Sequence, residues 1–124
     1  MREYGIVIVS HSADVARGVV GLLMAVAKDV AITYVGGTED GRLGTTFEQI
    51  TAIINENPQD KLFAFFDLGS AKMNLELAVE MSAKEVEVLS VPIVEGAYAA
   101  AALLQANADM ELVRDEMRAM ALKK

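Results

Sequence analysis

The chain has two kinds of apolar run. Gly5-Ile6-Val7-Ile8-Val9 and, after its opening lysine, Lys61 to Phe66 are apolar without alternation, as expected of strands buried on both faces of a parallel sheet. Val30-Ala31-Ile32-Thr33-Tyr34-Val35 is short and β-branched and predicts another strand. Glu85 to Val91 alternates, so it reads as an edge strand with its glutamates facing water, ended by Pro92. Between these runs the spacing is helical. Val15, Val19, Leu22, Leu23 and Val26 make one apolar face over about Ala13 to Lys28. Phe47, Ile50, Ile53 and Ile54 make a second, which stops near Asn57-Pro58 because proline disfavours helix at the residue before it. Leu75, Leu77, Ala78 and Met81 predict a third helix, and a fourth covers about Ala97 to Asn107. A fifth begins at a capping Asp109 and runs to the terminal lysines, acids early and bases late as the helix dipole favours. The order β-α-β-α-β-α-β-α-α predicts an α/β fold, a three-layer open, mostly parallel sheet with helices on both faces. With no linker or repeat in view, residues 1–124 read as a single domain.

Polar residues punctuate these elements. Ser12 is placed to cap the first helix, its hydroxyl accepting from a free amide of the first turn. Gly36 to Gly44 has the glycine density of a surface loop, and Thr45 with Glu48 fits a capping box for the next helix. Gly18 and Gly21 each cost about 1 kcal/mol against alanine inside a helix, which suggests close packing of that helix on the sheet. Met24, Met73, Met81 and the methionines of the last helix read as core filler.

Composition narrows the function. The 124 residues are 53% hydrophobic, enough for a core, and no apolar run approaches a membrane span. Nothing at Met1-Arg2-Glu3-Tyr4 resembles a targeting segment. The formal charge of −7 argues against nucleic acid as a partner and is compatible with a basic protein. There is no cysteine, which excludes disulfide and thiol chemistry and fits a reducing cytoplasm. One histidine and no cysteine leave little to bind a transition metal, so no metal site is expected. No glycine pattern of the dinucleotide or P-loop kind follows a strand.

That one histidine falls where chemistry collects. His11, between Ser10 and Ser12, ends the first strand beside a helix amino terminus, and open α/β sheets bind ligands at that edge. The corners Gly36 to Thr45, Asp67 to Ser70 and Pro92 to Gly96 fall on the same edge. A neutral imidazole beside amide and hydroxyl donors is a place for a phosphoryl group. Asp67 can accept from one ring nitrogen and so fix which nitrogen attacks. The plainer alternatives are that His11 is an ordinary polar corner residue, that Asp67 and Ser70 serve a turn and a cap, and that Thr45 only caps.

Four motifs in register, Val-Ile-Val-Ser-His-Ser at the start, Leu-Gly-Thr at 43–45, Asp-Leu-Gly-Ser-Ala at 67–71 and Val-Pro-Ile-Val-Glu-Gly at 91–96, cover essentially the whole chain. They resemble the phosphotransferase subunits of bacterial dihydroxyacetone kinase, the DhaM proteins, within the mannose-class enzyme IIA fold family. The resemblance implies a cytoplasmic phosphotransferase subunit and favours a homodimer, for which the exposed edge read at Glu85–Val91 offers a place to pair with its twin. It implies that His11 takes a phosphoryl group from HPr and passes it to ADP held, with magnesium, in a separate subunit, DhaL. A third subunit, DhaK, binds dihydroxyacetone and receives the group from the regenerated ATP. His11 matches the phosphorylated histidine and Asp67 the acid beside it. Thr45 and Ser70 match hydroxyl positions lining the phosphoryl site, with Ser10 and Ser12 flanking the histidine, and Gly69 permits close backbone approach. HPr-like and enzyme I-like domains, fused in some members, are expected to act from separate chains.

Three other readings compete. Sugar-transporting mannose-class enzymes IIA share the histidine but tend to carry a longer glycine-rich turn ending in Ser-Pro after the third strand. The short turn Asp67-Leu68-Gly69-Ser70-Ala71 favours the kinase subunit. A receiver-like signalling domain would place an acidic pair after the first strand to hold magnesium, where this chain has Ser10 and His11. A regulatory or assembly module without catalysis would take no phosphoryl group.

Overall fold

The computed structural model describes residues 3–124; the expected lead-in at Met1 and Arg2 lies outside them. Four strands, β1 (Tyr4–Ser10), β2 (Ile32–Gly36), β3 (Lys61–Phe66) and β4 (Glu85–Leu89), form one parallel sheet in the order β2-β1-β3-β4. The helices are α1 (Ala13–Val26), α2 (Phe47–Glu56), α3 (Ser70–Glu80), α4 (Ile93–Gln105) and α5 (Met110–Ala119). The predicted α/β architecture is the observed one. The unalternating runs fall in the two central strands, and every residue of β1 is buried.

Alternate residues of those strands supply two cores. Ile6, Ile8, Phe63 and Phe65 point to one face, against Val19 and Leu23 of α1, Ala97, Ala100 and Leu104 of α4, and Val113 and Met117 of α5. Val7, Val9, Leu62, Ala64 and Phe66 point to the other, against Ile50, Ile53 and Ile54 of α2 and Ala71, Leu75 and Ala78 of α3. A buried leucine or phenylalanine side chain contributes about 1.5–3 kcal/mol of transfer free energy, so both faces of the central strands stabilise the sheet.

Several expectations are corrected. The buried face of α1 is Ala16, Val19 and Leu23, while Val15, Leu22 and Met24 are exposed. A side chain added at Gly18 or Gly21 would meet nothing within 4 Å, so these glycines do not serve helix-on-sheet packing. In α3, Leu77 is exposed; Met73 at 78% and Met81 at 72% lie on the surface rather than in the core. The core-filling expectation holds for Met117 alone in full, with Met110 and Met120 packed at its margin. α1 and α3 carry apolar residues over more than one arc, and the sheet covers only one arc of each.

The edges differ as well. Glu87 faces α5 rather than open water: Arg114 Nη2 lies 2.7 Å from its carboxylate and 3.1 Å from the Tyr4 hydroxyl. These partners raise the Arg114 pKa, the Glu87 hydrogen bond foremost. No further strand pairs with the outer side of β4 among the described residues. Helix α4 starts at Ile93, before the expected Ala97: Pro92 is its cap residue, with φ −56° and ψ 126°, and its carbonyl accepts the first helical bond, from Gly96 N at 2.8 Å. Asp109 occupies the cap position of α5 without a side-chain hydrogen bond. That helix ends at Ala119, and the chain beyond it returns toward the sheet, where Leu122 N donates to the Ser90 carbonyl.

Candidate active site

β1 and β3 are neighbours whose following helices lie on opposite faces of the sheet, so the crevice at their carboxyl ends is the switch point of the topology. Parallel register sets Val9 opposite Phe66, which puts the next residues of both strands, Ser10-His11 and Asp67, side by side. The cluster is therefore a product of sheet register between two segments far apart in sequence.

Asp67 is its hub. One carboxylate oxygen accepts from the Ser10 hydroxyl at 2.6 Å and from the His11 backbone N–H at 3.0 Å. The other lies 2.9 Å from His11 Nδ1 and accepts from the Leu68 N–H at 2.7 Å. Burial pushes the Asp67 carboxyl up, but the hydrogen bonds from Ser10, His11 and Leu68 outweigh it and hold the group below the ordinary value of 3.8. An ionised carboxylate offers only acceptors, so Nδ1 carries the proton in this contact. The lone pair of a neutral ring then lies on Nε2, which is 2.7 Å from the Ser70 hydroxyl. The His11 side chain keeps 19% of its surface exposed, enough for access along one edge.

The surrounding elements hold this arrangement. Ser10, only 1% exposed, also accepts from the Ser12 N–H at 3.1 Å, so it positions Asp67 and the chain turn instead of lining an open surface. Ser12 caps α1 as expected, accepting from Val15 N. Ser70 opens α3 and its hydroxyl faces the corner, while the next amides of that helix, Ala71 N and Lys72 N, donate to the Leu68 and Gly69 carbonyls. Gly44 N donates to the His11 carbonyl at 2.9 Å, bringing the glycine-rich loop against the histidine backbone.

Thr45 is not the cap of α2. That role belongs to Thr46, which accepts from Gln49 N while donating to the Gln49 side chain. Thr46 and Gln49 have the same spacing as Thr45 and Glu48 one residue later, and the Gln49 side chain bonds the Thr46 hydroxyl where a full capping box would bond the backbone N–H. Thr45 instead accepts from Asn74 Nδ2 at 3.0 Å and makes no hydrogen bond to His11 among those described. Asn74 was not expected; it lies four residues after Ser70, so both project from one face of α3. Gly69 does allow close backbone approach, but of the chain end: a Cβ there would lie 3.0 Å from the Lys124 carbonyl carbon. The Pro92–Gly96 corner gives no hydrogen bond to the His11 cluster among the described residues, and Gly96 packs on Val91. No three His, Cys, Asp or Glu side chains of the described residues gather as a metal site, and no described helix is long and apolar enough to cross a membrane.

Gly36 supports the same corner from β2. A Cβ there would overlap the Ser12 carbonyl oxygen and approach the Ala13 Cα to 2.7 Å. Gly36→Ala is expected to destabilise the chain by about 1–3 kcal/mol, since backbone cannot yield as a flexible side chain does. Chemical denaturation checks this; an unchanged midpoint would show that the loop relaxes freely.

The chain is similar to known proteins over nearly its whole length. The family described as the PTS system fructose IIA component, EIIA-man, matches residues 5–114. The phosphotransferase subunit DhaM of a PTS-dependent dihydroxyacetone kinase from Lactococcus lactis is 48% identical over 121 residues, covering 98% of each chain. The phosphoryl donor subunit DhaM of PEP-dependent dihydroxyacetone kinase 1 from Listeria innocua is 47% identical over 122 residues, again 98% of both. A crystal structure of a protein of unknown function superimposes with a TM-score of 0.83 at 30% identity, covering 98% of this chain and 97% of the other. The chain belongs to the EIIA-man family of phosphotransferase-system components, and within it to the DhaM phosphoryl donor subunits of PEP-dependent dihydroxyacetone kinase.

Proposed function

We propose that this chain accepts a phosphoryl group on Nε2 of His11 from HPr and passes it to ADP held, with magnesium, in a DhaL partner. The observation that carries the reading is the Nδ1–Asp67 contact of 2.9 Å, which leaves Nε2 as the nucleophile beside Ser70. The Nε2 lone pair attacks phosphorus as the phosphorus–nitrogen bond to the donor histidine breaks. Asp67 stabilises the positive charge that develops on the ring, and the Nδ1 proton stays in place. The Ser70 hydroxyl beside Nε2 donates to a phosphoryl oxygen. In the second step an oxygen of the ADP β-phosphate attacks phosphorus, the bond to Nε2 breaks, and ATP and a neutral His11 remain. DhaK, which consumes the ATP, is an indirect partner.

The test is intact mass after incubation with phosphoenolpyruvate, enzyme I and HPr, followed by addition of ADP-loaded DhaL. The expected result is a gain of one phosphoryl group and its loss to ADP as ATP. No gain with a donor system active on another acceptor would sink the reading. A gain that ADP-loaded DhaL cannot discharge would leave only the first half standing.

A further inference from the structure

The returning chain end brings one side chain to the back of this corner. Lys124 Nζ lies 2.7 Å from the Phe66 carbonyl, 3.2 Å from the Asp67 carbonyl and 2.6 Å from the Val91 carbonyl. These are three acceptors for the three donors of an ammonium. The ammonium also sits 4.4 Å from the centre of the Phe66 ring. Two of its partners are at the carboxyl end of β3 and one lies just past β4, so a single cation bridges the ends of both strands. None of the described ion pairs includes it. Burial lowers its pKa and the nearby Asp67 charge opposes that shift.

We infer that Lys124 is a positioning residue for phosphoryl acceptance: its ammonium neutralises the strand-end carbonyls behind Asp67 and pins the Asp67 backbone. The physical need is plain. Carboxyl ends of parallel strands present carbonyl oxygens, and Asp67 adds a full negative charge. A phosphoryl dianion arriving at Nε2 meets that repulsion unless a cation lies close by. Lys124 supplies one without contacting the reacting atoms. Gly69, at the cap of α3, is the counterpart, since a side chain there would crowd the Lys124 backbone. This inference rests on the proposed phosphorylation of His11.

The test uses phosphoramidate, a small donor that needs no protein partner. Its phosphorus–nitrogen bond breaks as Nε2 binds phosphorus, and ammonia leaves with a proton from solvent. Lys124→Met keeps the apolar stem and removes the charge; Lys124→Arg keeps the charge and alters the hydrogen-bond geometry. Lys124→Met is expected to slow phosphorylation about fivefold or more and to lower, by a similar factor, the phosphorylated fraction at equilibrium with phospho-HPr. Lys124→Arg is expected to recover most of both, which a merely structural role of the chain end would not produce. A folded Lys124→Met matching wild type in rate and equilibrium would overturn the inference alone. Equal losses in both variants, tracking lowered melting temperatures, would also overturn it and leave a structural tether. Failure of wild type to be phosphorylated by either donor would bring down the relay reading, and this inference with it.

Discussion

His11→Gln is expected to abolish phosphoryl acceptance while leaving the fold intact. An amide nitrogen has no available lone pair, and the chain contains no second histidine. The structural cost is small because the site does not depend on the ring. Asp67 keeps its bonds from Ser10, the His11 backbone N–H and Leu68. The Gln amide can donate where Nδ1 did, so the stability change is expected to stay within about 1 kcal/mol. The mutant should still compete with wild type for the ADP-loaded partner, since docking uses the surrounding surface. Intact mass and denaturant unfolding check the two halves together. Retained phosphorylation in a folded His11→Gln chain would remove the basis for the whole site assignment.

Asp67→Asn is expected to slow transfer at least about a hundredfold, for a reason visible in the donor count. Four donors converge on the two carboxylate oxygens. An amide has one oxygen and can satisfy only one side. If its NH2 turns toward His11, Nδ1 must accept and the ring proton moves to Nε2, blocking the nucleophile. If it turns the other way, it opposes the His11 backbone N–H, and a part-buried donor loses its partner at about 1 kcal/mol.

The same substitution has a pH signature. The folded-state pKa of Asp67 is depressed, so its stabilisation is complete above the unfolded value of about 4 and is lost as pH falls through the lower folded value. Asp67→Asn should therefore be less stable than wild type at neutral pH, with the gap narrowing below about pH 4. Thermal unfolding across that range, read beside phosphorylation rates, checks both effects. Wild-type rates, or a gap independent of pH, would reduce Asp67 to a turn residue.

Much of this corner is legible along the chain because its signals are local. Unalternating runs at Gly5–Val9 and Lys61–Phe66 identify the two central strands, since only a strand covered on both faces excludes polar residues from both. Ser12 marks the start of α1 by its own hydroxyl. The alternation of strands and helices then sends the strand ends carrying His11 and Asp67 to one edge. Four motifs in register carry the family.

Other properties depend on distance in space. Apolar spacing in α1 could not say which arc the sheet covers, because Val15 and Leu22 fit the same period as Val19 and Leu23. The choice between Thr45 and Thr46 as cap turned on backbone geometry at one residue, and it left Thr45 to Asn74. The side of the His11 ring that faces Asp67 is set by a contact between residues 56 apart in sequence. Lys124, beyond the last helix and with no periodic or capping signal, acquired a place at the site only when the folded chain carried it back over β3 and β4. Capping and periodicity are properties of a few consecutive residues, whereas a ring's tautomer and a cation's partners depend on which strand ends the whole sheet sets side by side.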